Sequence, residues 1–156
     1  MLSFKNVFLI CVIILITEFT KGCNTDAIDM ENINEVKIYK CKKEVNPEKR
    51  RLIYIGELDK NGMSCLAKYV HASHTVKRGY VISEYYLELV NDKNEIIRRI
   101  GIVFSEDKIK GLDITTKNPE KTFVTSTHRL IVSSDDNISQ ALLDEINNTI
   151  RRSVKK

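Results

Sequence analysis

The alternation of apolar and polar positions predicts a chain built mainly of β-strands. Val36 and Ile38 alternate with polar neighbours, and the same period of two recurs along most of the following hundred or so residues. Turn residues, such as NDKN and the Asn118-Pro119 pair, separate the alternating runs. The strands that this pattern predicts are 36–39, 52–58, 63–71, 80–90, 95–104, 112–116 and 123–133.

Two glycines carry specific predictions. Asn61-Gly62 predicts a β-hairpin, because a type I′ turn needs positive φ at both central residues. In that register Leu58 lies opposite Cys65, which places Cys65 on a strand. Gly101, inside the strand 95–104, predicts either a bulge or a close backbone approach.

The period changes to that of a helix near the end of the chain. Ile138, Leu142, Ile146 and Ile150 recur every four residues, which is the pattern of an amphipathic helix. The predicted fold class is therefore α+β: an antiparallel meander of about six or seven strands with one C-terminal amphipathic helix. A small β-barrel with the same helix is the alternative architecture.

The first residues have the pattern of a secretory signal peptide. Lys5 precedes ten uninterrupted apolar residues, 7–16, which is half of the roughly 20 residues that a membrane-spanning helix needs. Thr20 and Gly22 supply the small residues that signal peptidase prefers before a cleavage site. We therefore expect a signal peptide at 1–22, an acidic spacer at 23–35 and a single globular domain at 36–156.

The residues around the predicted cleavage site add a resemblance. Thr20, Lys21, Gly22 and Cys23 resemble the lipobox of bacterial lipoproteins, in which a cysteine after glycine or alanine is diacylated. Thr20 stands where leucine is usual, and Lys21 where a small uncharged residue is usual. The resemblance implies lipidation of Cys23, which would tether the domain to a membrane surface.

The number of cysteines bears on the same question. Cys11 would leave with the signal peptide, so the mature chain would keep three cysteines, one too many for complete pairing. If Cys23 carries lipid, Cys41 and Cys65 are expected to form one disulfide in an oxidising compartment. The alternative is a bond from Cys23 to either of them, with one thiol left buried.

Catalytic and metal-binding patterns are sparse. The three histidines are His71, His74 and His128, and residues three apart on a strand, such as the first two, point to opposite faces. The chain contains no HExxH, CxxC, GxSxG, GxGxxG or phosphate-binding loop. We therefore expect no metal, no cofactor and no enzymatic activity. The alternative is an exported effector or hydrolase that uses one of these histidines with an acidic neighbour.

The basic residues are unevenly placed. The chain has a formal net charge of +4, and basic side chains gather around one turn. Such a patch attracts acidic partners or anionic head groups, although a merely solvated edge has the same composition. Export and the lack of a recognisable nucleic-acid motif argue against nucleic acid. The predicted partner-binding patch consists of Lys42, Lys43, Lys49, Arg50 and Arg51.

These features together predict a small exported, non-catalytic protein-binding domain of the bacterial cell envelope. Its expected location is the periplasm or a membrane anchor, and its expected partner is another envelope or secreted protein docked on a sheet face or edge. Periplasmic immunity or inhibitor proteins and accessory lipoproteins are similar in size and in their export signals. A eukaryotic secreted protein is a further alternative, since Asn137-Ile138-Ser139 and Asn147-Asn148-Thr149 permit glycosylation.

Overall fold

The computed structural model describes residues 28–43, 50–79, 81, 83–105, 108–115 and 127–154. The described residues form seven strands, two helices and one turn of 3₁₀ helix. The strands are β1 (Glu35–Lys43), β2 (Arg50–Glu57), β3 (Ser73–Arg78), β4 (Tyr85–Val90), β5 (Ile96–Ser105), β6 (Lys108–Asp113) and β7 (His128–Ser133). The helices are α1 (Lys60–His71) and α2 (Asp136–Val154), and the 3₁₀ turn spans Met30–Asn32.

The strands form one open antiparallel sheet in the order β2-β1-β4-β5-β6-β7-β3. Strands β4 to β7 follow one another as a meander, whereas α1 carries the chain from β2 at one edge to β3 at the other. The predicted α+β class, with an antiparallel sheet and a C-terminal helix, is confirmed. The barrel alternative does not form, since β2 and β3 are separate edges.

Both helices cover the same face of the sheet, and the core lies between. Ile38 and Leu87 are directly opposite on neighbouring strands and fully buried, as are Leu66 of α1 and Leu142 and Ile146 of α2. Full burial of one such side chain contributes roughly 1.5–3 kcal/mol. The opposite face of the sheet is called the helix-free face below.

Helix α2 follows the predicted pattern. Leu142 and Ile146 are fully buried, and the carboxylate of Asp135 accepts hydrogen bonds from the backbone N–H groups of Asn137 (2.9 Å) and Ile138 (3.3 Å). These bonds satisfy donors that the first turn of a helix leaves without partners.

The hairpin predicted at Asn61-Gly62 is wrong, because these residues lie in the first turn of α1. The carboxylate of Asp59 accepts hydrogen bonds from the backbone N–H groups of Asn61 (3.1 Å) and Gly62 (3.0 Å) and so starts a helix there. Leu66 and Tyr69 are both fully buried. Residues three apart share a face on a helix but not on a strand.

Gly62 is required by packing and not by a turn. A Cβ built on Gly62 would lie 2.9 Å from Cδ2 of Leu58, so any larger side chain would displace that leucine. Leu58 and Met63 occupy the two positions whose apolar side chains commonly pack together across a helix start. The Asn61-Gly62 pair therefore lies at the start of a helix and not in a hairpin turn.

Two further segments differ from the sequence analysis. Strand β3 was not predicted, since its residues are mostly polar; it pairs with β7 along the edge of the sheet. Residues 28–35 fell in the predicted spacer, yet Ile28 and Ile33 are buried in the core, and the backbone N–H of Asn34 donates to Val90 (2.8 Å). The packed domain thus includes these residues.

The predicted signal peptide and Cys23 lie outside the described residues. Among the helices that the structure describes, none is both long and apolar enough to cross a bilayer.

Candidate functional site

The predicted basic patch lies on the paired ends of β1 and β2. Lys42 lies directly opposite Arg51, and the backbones of Lys43 and Arg50 form the next pair. For Lys43 and Arg50 the structure describes the backbone alone, and Lys49 lies outside the described residues. The described members of the patch are therefore neighbours in space as well as in sequence.

Lys42 and Arg51 form an unbalanced pair of positive charges. Directly opposite residues of an antiparallel pair point to the same face, and like charges in that arrangement destabilise the sheet. Both side chains are exposed. Neither forms an ion pair with any carboxylate of the described residues. An acidic group from elsewhere would relieve this repulsion.

Aromatic and apolar side chains border these charges. Lys40 lies two residues before Lys42 on the same face of β1, and its Nζ is 5.5 Å from the centroid of the Tyr85 ring, which is a cation–π contact. Tyr85 packs edge to face against Phe104, with ring centroids 6.0 Å apart. Ile53, opposite Lys40, is 40% exposed. We call this set the basic–aromatic surface: Lys40, Lys42, Arg51, Ile53, Tyr85 and Phe104.

The basic–aromatic surface begins where the helices stop covering the sheet. Ile38 is fully buried, whereas Lys40, two residues further along the same face of β1, is exposed. Strand β2 is also an edge strand, whose outer side has no strand partner among the described residues. Such an edge can accept an extended segment of another chain.

A hydrogen-bonded network crosses the helix-free face. Glu88 accepts from Nε of Arg99 (2.7 Å) and from the hydroxyl of Tyr39 (3.2 Å). Tyr39 packs edge to face against Tyr54, whose hydroxyl donates to Glu57 (2.8 Å). Desolvation and the charge of Glu88 raise the pKa of Tyr39, and desolvation and the hydrogen bond to Glu57 raise the pKa of Tyr54 to about 12. Glu88 of this network thus has a basic partner, whereas Lys42 and Arg51 have no carboxylate partner among the described residues.

The histidines are dispersed. His71 ends α1 and His74 lies on β3, both exposed, whereas His128 is buried at the start of β7. In the part of the chain that the structure describes, no three His, Cys, Asp or Glu side chains are placed to hold a metal ion.

His128 has a buried acidic neighbour. Its Nδ1 lies 2.9 Å from Oδ2 of Asp113, and the side chains are 7% and 3% exposed. Oδ1 of Asp113 accepts from the backbone N–H of Thr115 (3.0 Å), and the hydroxyl of Thr115 accepts from the backbone N–H of Arg129 (2.6 Å). These bonds join the end of β6 to the start of β7. The pair is thus a structural link that solvent hardly reaches.

Ser83 lies close to this pair. Its side chain is buried, and its Oγ has no hydrogen-bond partner in the part of the chain that the structure describes. A Cβ built on Gly101 would lie 2.8 Å from the Cβ of Ser83 and 3.4 Å from the Cβ of Asp113. The glycine therefore makes room for the side chain of Ser83, whereas the sequence predicted a bulge or a close backbone approach. Since Oγ has no hydrogen-bond partner among the described residues, the hydrogen bond that activates a catalytic serine is not formed there.

The predicted Cys41–Cys65 disulfide is not present in the structure. Cys41 alternates with Ile38 and Lys40 along β1 and faces the helix-free side of the sheet. Cys65 lies in α1 and packs against the core on the other side. The sheet separates the two sulfurs, because Cys65 is on a helix and not on the predicted strand.

Comparisons of the chain with protein-family models, curated proteins and solved structures found no match. The function must therefore be argued from the chemistry of the surfaces themselves.

The sequence analysis missed the aromatic half of the basic–aromatic surface. Tyr85 and Phe104 were assigned to strands, but only the pairing of β1 with β4 brings Tyr85 under Lys40. The spacing of Lys40 and Lys42 was a usable signal, because residues two apart on a strand share a face.

Proposed function

We propose that this protein is a small exported, non-catalytic binding protein of the bacterial cell envelope, and that its basic–aromatic surface binds an acidic segment of another envelope or secreted protein. The observation that carries the proposal is the exposed Lys42–Arg51 pair, which has no carboxylate partner among the described residues. An acidic partner would place carboxylates beside these two charges and so reduce their repulsion.

The neighbours of this pair favour a protein as the partner. Ile53 is exposed at the edge of the sheet. Lys40 lies between it and Tyr85, because Ile53 and Tyr85 pair with Lys40 from the two strands that flank β1. Protein interfaces commonly combine an apolar and aromatic centre with charges that set orientation. The outer edge of β2 adds backbone donors and acceptors that an extended segment can pair with.

The proposed location depends on the N-terminal sequence. The apolar run at 7–16 and the resemblance of residues 20–23 to a lipobox support export and a lipid on Cys23. We propose the periplasm or a membrane-anchored lipoprotein as the location, with an extracellular protein as the alternative.

Site-specific photo-cross-linking in the native host tests the binding proposal. A photoreactive amino acid replaces Ile53 in one variant and Ile97 in a matched control, since these side chains are 40% and 53% exposed. We expect a defined protein adduct from position 53 and none of that mass from position 97. The same adduct from both positions, or none from position 53, would contradict the proposal.

A hydrolase centred on His128 is a second candidate, favoured by the 2.9 Å contact with Asp113 and by the unpartnered hydroxyl of Ser83 nearby. Ser83→Ala distinguishes the two candidates, because it removes the hydroxyl with little change in volume. The binding proposal expects unchanged cross-linking in this variant. A wild-type esterase activity on p-nitrophenyl acetate that Ser83→Ala abolishes, at unchanged thermal stability, would favour the hydrolase.

A further inference from the structure

A surface cavity of about 520 Å³ lies beside β7 and β3, at the other end of the strand order from the basic–aromatic surface. Small-molecule sites commonly enclose about 300–1,000 Å³. Apolar side chains from three elements line part of the cavity: Ile28 and Met30 of the N-terminal segment, Val70 of α1, and Ile131 of β7. They can cover the body of an organic ligand.

Two carboxylates belong to the polar lining of the cavity. Asp29 and Glu31 line it together with His71, Ser73 and Thr75, and among its described lining residues there is no lysine or arginine. The carboxylate of Asp29 is held in place, because it accepts from the backbone N–H of Glu31 (3.1 Å) and from the side-chain amide of Asn32 (2.5 Å). Glu31 is exposed at the rim.

The end of α1 borders the cavity without adding negative charge. The helix ends at His71, which lines the cavity, and its last turn also carries Lys68. The carbonyl groups there are occupied, because those of Lys68 and Val70 accept from the backbone N–H of Ala72 and that of Tyr69 accepts from the hydroxyl of Ser73. The attraction for a cation at the rim therefore comes from the two carboxylates.

We infer that this cavity binds an organic ammonium compound, with its apolar body against the apolar part of the lining and its charged nitrogen at Asp29 and Glu31. An anionic amphiphile would be repelled by the same groups. A bare metal ion would lack ligands, since no cluster suited to one exists in the described residues. The inference does not depend on the proposed partner binding, which uses the other end of the sheet.

Isothermal titration calorimetry of the full mature protein tests this inference with three probes of equal chain length: n-octylammonium, n-octanol and octanoate, all below their micelle concentrations. We expect n-octylammonium to bind most tightly. Glu31→Gln should weaken it by about threefold, the usual size of one exposed charge contact. Asp92→Asn removes an exposed carboxylate elsewhere, in the β4–β5 turn, and should leave the affinity unchanged.

Filling the cavity gives a second arm. Ala67→Phe, in α1, places a ring in the lining and should abolish binding of n-octylammonium. If this variant does not fold, Thr75→Trp fills the cavity from an exposed position on β3 and should have the same effect. Thermal unfolding of each variant checks its fold. The inference would be overturned if n-octanol or octanoate bound as tightly as n-octylammonium. It would also be overturned if Glu31→Gln and a folded filling variant both kept the wild-type affinity for n-octylammonium, or if n-octylammonium did not bind at millimolar concentration.

Discussion

Gly101 and Ser83 pack tightly against each other on the helix-free face. A larger side chain at position 101 would therefore clash with Ser83. Gly101 lies opposite Tyr86 and Asp113 in the sheet, and the Ser83 side chain covers it. The sequence predicted a close approach at Gly101, but not that Ser83 makes it, because no pattern in the residues before β4 predicts that they pack against β5. A contact between residues that are distant in the sequence depends on how the whole chain folds.

This contact gives a prediction on stability. Gly101→Ala would place a Cβ 2.8 Å from the Cβ of Ser83, so we expect a loss of about 1–3 kcal/mol in the free energy of unfolding, the usual cost of overpacking. Gly79→Ala is the matched control, because no heavy atom of the described residues lies within 4 Å of its built Cβ. Urea denaturation measures both. Adding Ser83→Gly should restore part of the loss, and equal stability of the two alanine variants would contradict the packing.

At the scale of elements, the alternating strands and the C-terminal helix could be predicted from sequence, whereas α1 could not. The Asn61-Gly62 pair favours a hairpin locally, but Asp59 caps a helix over the same residues, and burial of Leu66 and Tyr69 on one face stabilises it. Strand β3 was missed because an edge strand buries little and so need not alternate.

Because α1 is a helix with one buried face, we expect side-chain truncation to lower the free energy of unfolding at buried positions much more than at exposed ones. Leu66→Ala removes a fully buried side chain and should lower the free energy of unfolding by about 2–5 kcal/mol. Ser64→Ala and Lys68→Ala, at exposed positions of the same helix, should change it by no more than about 0.5 kcal/mol. Chemical denaturation compares the three. A loss for Leu66→Ala no larger than that of the exposed variants would contradict the packing of α1.

The whole molecule presents two different surfaces at the two ends of its sheet. The basic–aromatic surface lies on β2, β1, β4 and β5, and the acidic cavity lies beside β7 and β3. The sequence revealed the basic cluster, because its members are close along the chain. It could not reveal the cavity, since Asp29 and His71 are brought together only by the packing of residues 28–35 against α1 and the sheet.

The proposed location makes a prediction for the whole chain. The intact mass of the protein from its native host should correspond to a chain that begins at Cys23 and carries acyl chains. Reduction should not add two hydrogens, because the sheet separates Cys41 from Cys65. A bare chain that begins at Cys23 would contradict lipidation, and an uncleaved chain would contradict the signal peptide.

The central claim is that Lys42 and Arg51 bind an acidic partner, and charge reversal tests it most directly. The measurement is the yield of the position-53 adduct in the native host from the Lys42→Glu, Arg51→Glu double variant. Its control is Lys77→Glu, Lys93→Glu, which makes the same change in net charge at exposed sites elsewhere. We predict a loss of about tenfold for the first variant and none for the second, since each reversal turns an attraction into a repulsion. Equal yields from the two variants would contradict the account.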